Sequence, residues 1–127
     1  MDEAGKKVLI IEDEVPERIA LARKIEQAGF KIIEAKDGIE GLELALKNHP
    51  DLILLDISLP KLDGIKLIKR LREDNWGKSI PIIILTNISD PEKTAEALEQ
   101  NVPDFLAKSD SRLEDVVALV RKKISND

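Results

Sequence analysis

The sequence contains no cysteine and no tyrosine, and aromatic residues make up only 2% of the chain. The lack of cysteine excludes disulfide bonds, thiolate metal sites and cysteine nucleophiles. Because aromatic residues are scarce, leucine, isoleucine, valine and alanine have to form the core. No apolar run approaches the roughly 20 residues of a transmembrane helix, and no signal-peptide pattern follows the first residues. We therefore expect a cytoplasmic protein with no membrane association.

Basic residues are also in the minority, with 20 Lys and Arg against 25 Asp and Glu, for a net charge of −5. Proteins that bind nucleic acid usually carry a basic stripe, which this sequence lacks, so we expect no direct binding of nucleic acid. A chain of 127 residues is the usual size of one domain. We predict a single domain over residues 1–127, with a core from about 6 to 124.

Short apolar runs alternate with longer helical stretches, which predicts an α/β protein built from five β-α units. The runs are continuously apolar, and this pattern is typical of strands buried on both faces of a parallel sheet with helices on each side. The predicted strands are Lys7–Ile11, Lys31–Ala35, Leu52–Asp56, Pro81–Thr86 and Asp104–Ala107. The second strand is the least apolar of these, so we place it nearer an edge.

Helix-start residues follow four of the strands, and Pro16 suits the first turn of the first helix. Asp37 and Glu40 have the spacing of a capping box, and we expect the helix that they open to bury a stripe on one face. That stripe consists of Ile39, Leu42, Ala45 and Leu46. The predicted helices run from Pro16 to Ala28, from Asp37 to before Pro50, from Asp63 past Leu71, from Ser89 to near Asn101, and from Ser111 to near Ile124.

Polar residues gather where the predicted strands end. Glu12 and Asp13 follow the first strand, Asp56 ends the third, Thr86 ends the fourth and Lys108 follows the fifth. Open α/β sheets place their functional residues at these carboxyl ends. Neighbouring carboxylates repel one another unless a cation lies between them, and Mg²⁺ binds carboxylates together with phosphoryl oxygens. The pattern predicts a Mg²⁺ site that contains a reactive carboxylate, with a hydroxyl and an ammonium group placed to contact a phosphoryl group.

In their order and spacing, these motifs resemble the receiver domain of two-component response regulators over essentially the whole chain. The matching residues are Glu12-Asp13, Asp56 with Leu59-Pro60-x-x-Asp63-Gly64, Thr86, and Phe105-x-x-Lys108. The resemblance implies a flavodoxin-like (βα)5 fold, which is a doubly wound parallel sheet with strand order 2-1-3-4-5.

The resemblance also implies the chemistry of the site. Asp56 would accept a phosphoryl group from a phosphohistidine on a histidine kinase or a histidine phosphotransfer protein. Asp13, Asp56 and the backbone carbonyl of Ser58 would bind Mg²⁺, with Mn²⁺ as the alternative ion, and Glu12 would act mostly through water. The protein would be a signalling switch with self-catalysed phosphotransfer and dephosphorylation, rather than a metabolic enzyme.

The same resemblance assigns the read-out of phosphorylation. Thr86 and Lys108 would bind the phosphoryl group, and Phe105 would hold the aromatic position behind Thr86. We expect Phe105 to lie largely inside even without phosphate, because it has no hydroxyl to hydrate. The signal would leave through a face formed by Pro91–Gln100, Phe105 and Arg112–Ile124. The downstream partner is unknown, and a homodimer that forms on phosphorylation is an open alternative.

Three residues depart from the family pattern, and one of them, Glu12, replaces the commoner Asp, a variation that a ligand acting through water tolerates. Ser109 follows Lys108 where the family usually has a proline with a cis peptide bond, so we expect either a trans bond with a re-routed loop or a strained cis bond. Asn87 follows Thr86 where a small residue is common. It either narrows access to Asp56 or faces solvent.

Three other functions are alternatives to the signalling switch. In a phosphorylation-independent binding module, the change at Ser109 would have disabled switching. A flavin carrier is disfavoured because Glu12-Asp13-Glu14 would repel an FMN phosphate. A metal-dependent phosphohydrolase is disfavoured because Ser58 stands where such sites usually have a second Asp. The length is compatible with a stand-alone regulator and with a receiver from a longer protein.

Overall fold

A computed structural model describes residues 5–56, 61, 64–86, 104–107 and 113–125. The elements are β1 (Lys7–Ile11), α1 (Val15–Gln27), β2 (Lys31–Ala35), α2 (Gly38–Asn48), β3 (Leu52–Asp56), α3 (Gly64–Glu73), β4 (Ile82–Thr86), β5 (Asp104–Ala107) and a last helix (Leu113–Ser125). The predicted strands agree with these bounds to within one residue. The strand β4 begins after Pro81, because proline has no N–H to donate. The helix predicted from Ser89 to near Asn101 lies outside the described residues.

The five strands form one parallel sheet in the order β2-β1-β3-β4-β5. The prediction of a flavodoxin-like, doubly wound sheet is therefore confirmed. The strand β2 lies at an edge, as its lower apolar content predicted, and it exposes Lys31 and Glu34. Charged side chains of this kind discourage an edge strand from pairing with another chain.

The core consists of two apolar layers, one on each face of the sheet, because successive residues of a strand point to opposite sides. Ile53 and Leu55 of β3 pack with residues of α2 and α3. Leu52 and Leu54 pack on the other face with residues of α1 and the last helix. All four side chains are fully buried. None of the described helices is long and apolar enough to cross a membrane.

The inner face of α2 differs from the predicted stripe. Ile39 and Leu46 are 47% and 41% exposed, whereas Gly41 and Ala45 are buried. The helix approaches β1 so closely that a Cβ atom on Gly41 would lie 2.5 Å from Cδ1 of Ile11. The prediction for Ile39 and Leu46 is wrong because this close approach brings small residues to the interface and turns the larger ones outward.

Candidate functional site

The register of the sheet places the ends of β1 and β3 side by side. Ile11 is the partner of Leu55, so Glu12 and Asp56, one residue further along, are neighbours. Glu12 also continues the ladder towards β2, because its N–H donates to the carbonyl oxygen of Ala35 at 3.0 Å. Both acids therefore lie at the carboxyl end of the sheet, where open α/β proteins place their functional groups.

Glu12, Asp13 and Asp56 form an acid cluster. Each contributes a carboxylate oxygen, and these oxygens all lie within 4.8 Å of one another. Glu12 is fully buried and Asp56 is 6% exposed, whereas Asp13 is exposed. A set of carboxylate oxygens that opens to solvent on one side matches the ligand preference of a hard divalent cation such as Mg²⁺. The three residues thus fit the metal that the sequence predicts.

The turn that follows β1 is shaped by two further contacts. The N–H of Glu14 donates to Oε2 of Glu12 at 3.3 Å, and Nη1 of Arg18 donates to the carbonyl oxygen of Glu12 at 3.0 Å. Arg18 also forms an ion pair with Glu34 of β2, with 3.2 Å between Nε and Oε1. Nothing in the sequence pattern identifies Arg18, because an arginine near the start of a helix is usually solvated.

Lys61, the one described residue between β3 and α3, contacts the start of α2. Nζ of Lys61 lies 3.5 Å from Oδ2 of Asp37, the N-cap of α2. Asp37 accepts the N–H of Glu40 at 2.8 Å, and the Glu40 carboxylate accepts the N–H of Lys36 at 2.9 Å. The capping box is therefore confirmed, with its second bond shifted by one residue. The hydrogen bond from Glu40 lowers the pKa of Asp37; burial opposes this effect and Lys61 adds to it.

The remaining predicted residues are described in part or not at all. Thr86 ends β4, next to β3, and its partner in β5 is Ala107. Phe105 is the partner of Ile84. The side chains of Thr86 and Phe105 are not among the described groups, so the inward position of Phe105 stays a prediction. Outside the described residues lie Ser58, Asp63, Asn87, Lys108, Ser109 and Ser111.

Comparison with known proteins places these features in a family. A family model described as response regulator receiver domain matches residues 8–121. The chain is 35% identical over 115 residues to the DNA-binding dual master transcriptional regulator RpaA of Synechocystis, covering 91% of this chain and 47% of that protein. It is 37% identical over 115 residues to the phosphate regulon transcriptional regulatory protein PhoB of Pseudomonas aeruginosa, covering 91% of this chain and 50% of that protein. The chain thus spans about half the length of these curated relatives.

Solved structures show the same fold. The chemotaxis response regulator CheY4 of Vibrio cholerae superposes with a TM-score of 0.86 at 28% identity, over 94% of this chain and 99% of that one. The receiver domain of the sensor histidine kinase PA1611 of Pseudomonas aeruginosa superposes with a TM-score of 0.87 at 26% identity, over 97% of this chain and 100% of that one. That structure has a magnesium ion coordinated in the active site cleft.

The comparisons correct the prediction about partners. Beside a phosphohistidine donor and an unknown downstream partner, the sequence predicts no direct binding of nucleic acid, and the prediction is wrong where it excludes nucleic acid. RpaA is named as DNA-binding and PhoB as a transcriptional regulatory protein. The exclusion of nucleic acid depended on a net charge of −5. Since the chain spans only 47% and 50% of these relatives, its charge carries no information about the rest of such a regulator.

Proposed function

The chain belongs to the response regulator receiver domains, and we propose that it is a signalling switch in which Asp56 accepts the phosphoryl group. The position of Asp56 carries the proposal. It is the last residue of β3, it is 6% exposed, and its carboxylate belongs to the acid cluster. A carboxylate held at a strand end, with one side open, can meet a phosphoryl group from a fixed direction.

The transfer itself requires little covalent chemistry from the protein. One Asp56 oxygen forms a bond to phosphorus while the P–N bond of a phosphohistidine breaks. The electron pair of that bond goes to the imidazole nitrogen, which leaves as a neutral ring when its other nitrogen carries a proton. Positioning and neutralisation of charge then supply most of the rate enhancement.

Asp13, Asp56 and the backbone carbonyl of Ser58 would hold Mg²⁺, or Mn²⁺ in its place, and Glu12 would act on the ion mostly through water. When bound, the ion neutralises charge on the carboxylates and on the phosphoryl oxygens. The contribution of this chain is a prearranged ligand set. Glu12 is buried, and hydrogen bonds hold both its N–H and its carbonyl oxygen, so its position is fixed before any ligand binds.

The phosphoryl contacts are assigned to Thr86 and Lys108, and the read-out to Phe105. The register supports Thr86, because Leu85 is the partner of Asp56 and Thr86 follows it at the same edge of the sheet. Self-catalysed phosphotransfer and dephosphorylation belong to this proposal, as does a cytoplasmic location. The proposed output face consists of Pro91–Gln100, Phe105 and Arg112–Ile124.

The names of the curated relatives also indicate which cellular process the switch controls. RpaA and PhoB are both named as transcriptional regulators, and the chain matches 47% and 50% of their lengths. We propose that this receiver likewise acts in the control of transcription.

Phosphorylation can be measured directly by intact mass spectrometry after incubation with acetyl phosphate and Mg²⁺. We expect the wild-type chain to gain one phosphoryl group, and we expect EDTA or the substitution Asp56→Asn to abolish the gain. The matched control is Asp51→Asn, which makes the same change at the opposite end of β3 and is expected to be phosphorylated as wild type is.

Two results would contradict the proposal. A gain that persists in Asp56→Asn would place the acceptor on another residue. If the wild-type chain gains nothing while a known receiver is phosphorylated by the same donor and metal, the phosphorylation-independent binding module is the better assignment.

A further inference from the structure

Arg18 connects three segments that surround the acid cluster. Its Nη1 donates to the carbonyl oxygen of Glu12 at 3.0 Å, and its Nε donates to Oε1 of Glu34 at 3.2 Å. Its own N–H donates to the carbonyl oxygen of Glu14 at 2.9 Å, in the first turn of α1. The Arg18 side chain is 17% exposed, whereas that of Glu34 is 44% exposed. Arg18 therefore joins the end of β1 and the edge strand β2 through its guanidinium, and the start of α1 through its backbone N–H.

The bond to Glu12 acts on the next residue, Asp13. The carbonyl oxygen of Glu12 and the nitrogen of Asp13 belong to one planar peptide group. The peptide on the other side of Asp13 is held by the hydrogen bond from the Glu14 N–H to Oε2 of Glu12 at 3.3 Å. With the peptides on both sides of Asp13 held, the direction in which its side chain leaves the backbone is largely set.

We propose that Arg18 is a positioning residue for the metal site, which orients Asp13 towards Glu12 and Asp56 and thereby sets the affinity for Mg²⁺. The inference rests on the proposed function, since it requires the acid cluster to bind the ion. Groups that orient metal ligands without touching the metal typically change its affinity by about 10–100-fold when they are removed.

A planar guanidinium suits this role better than an ammonium group. Its nitrogens are held in a rigid fork, so one can bind Glu34 while another is aimed at the carbonyl of Glu12. Glu34 fixes the orientation of the fork. A lysine at position 18 would keep the charge but would not reproduce both bonds at once.

Charge and position predict opposite effects on metal binding. If Arg18 were only a positive charge near the site, it would repel Mg²⁺, and its removal would strengthen binding. If it orients Asp13, its removal weakens binding even though the site becomes more negative. The sign of the change in affinity therefore distinguishes the two roles.

The test is a titration of wild type, Arg18→Gln and Arg18→Lys with Mg²⁺. The NMR chemical shifts of the backbone amides report how tightly each protein binds the ion. We expect both substitutions to weaken Mg²⁺ binding by about tenfold or more. Arg23→Gln is the matched control, because Arg23 is an exposed arginine on the same helix. The control is expected to bind Mg²⁺ as wild type does, or slightly more tightly.

The melting temperature in EDTA separates positioning from a merely structural role. A structural role would lower the melting temperature and leave the Mg²⁺ affinity of the folded protein unchanged. If Arg18→Gln does not fold, Glu34→Gln takes its place, because it removes the anchor of the guanidinium and keeps Arg18. We expect this milder variant to weaken Mg²⁺ binding by a smaller factor.

The outcomes also separate this inference from the proposed function. Binding by the Arg18 variants that equals or exceeds that of wild type would overturn the positioning role and leave the metal site intact. If wild type and Arg23→Gln both fail to bind Mg²⁺, the metal site of the proposed function is wrong, and the role of Arg18 falls with it.

Discussion

The side chain of Asp56 illustrates a conflict between stability and function at a single residue. Its carboxylate lies within 4.8 Å of those of Glu12 and Asp13, and it is only 6% exposed. Unit charges about 4 Å apart near a protein surface interact by about 4 kcal/mol, so like charges here oppose folding when no cation is bound. We expect Asp56→Asn to stabilise the metal-free protein by about 1 kcal/mol, which raises the melting temperature by roughly 4 °C.

Thermal unfolding in EDTA and in excess Mg²⁺ tests this prediction for Asp56. The advantage of the variant should shrink in Mg²⁺, because the ion stabilises the protein that binds it more tightly. Glu43→Gln removes an exposed carboxylate on α2 and serves as the control, with no expected change. A variant that melts below wild type in EDTA would show that contacts made by Asp56 outweigh the repulsion.

The start of α2 shows how one side chain stabilises a whole element. Asp37 accepts the N–H of Glu40 at 2.8 Å, and this bond, aided by Lys61, holds the pKa of Asp37 below its ordinary value of 3.8 despite burial. We expect Asp37→Ala to lower the free energy of unfolding by about 1 kcal/mol. Asp37→Asn should lower it less, since asparagine caps equally well and Lys61 is 62% exposed, so that solvent weakens its ion pair.

The effect of pH on α2 has a definite sign. Because the folded protein holds the pKa of Asp37 down, the charged carboxylate contributes its stabilisation above pH 3.8 and loses it as the pH falls through the folded pKa. Urea unfolding of wild type and Asp37→Asn between pH 7 and pH 3 should show the two stabilities converging on acidification. A difference that is constant across this range would exclude the charge of Asp37 as its cause.

The strands could be predicted closely from the sequence, whereas one helix face could not. A strand buried on both sides is a continuous apolar run, and its bounds are visible in its own residues. The inner face of α2 depends instead on how near the helix comes to β1. Gly41 permits that approach to Ile11, and the distance is set by both elements together.

The same distinction applies to the site. The acids could be predicted because each stands at the end of a recognisable strand, and parallel strands bring their carboxyl ends to one edge. Arg18 and Lys61 could not, because their partners Glu34 and Asp37 lie 16 and 24 residues away in the sequence and meet them only in the folded chain. Lys61 also adopts a φ of 68°, which few residues other than glycine prefer.

In the molecule as a whole, the sheet separates two apolar layers. Adjacent residues of β4 belong to different layers, with Ile84 packed against the side that carries α3 and Ile83 against the side that carries α1 and the last helix. Both are fully buried. Among the residues that the structure describes, no side chain belongs to both layers, yet the strands are common to both, so we expect the domain to unfold in one cooperative transition.

Urea unfolding of two double variants tests this arrangement. One variant changes two residues on opposite faces of the sheet, and the other changes two residues within one layer. Ile83→Val and Ile84→Val should each lower the free energy of unfolding by about 1 kcal/mol, and the double variant should equal their sum to within about 0.5 kcal/mol. Ile53→Val and Ile82→Val provide the matched pair, since these residues are register partners in one layer, and their double variant should depart from the sum by about 0.5 kcal/mol or more. A larger coupling across the sheet than within one layer would show that the two sides of the core respond as a single unit to the loss of a methyl group.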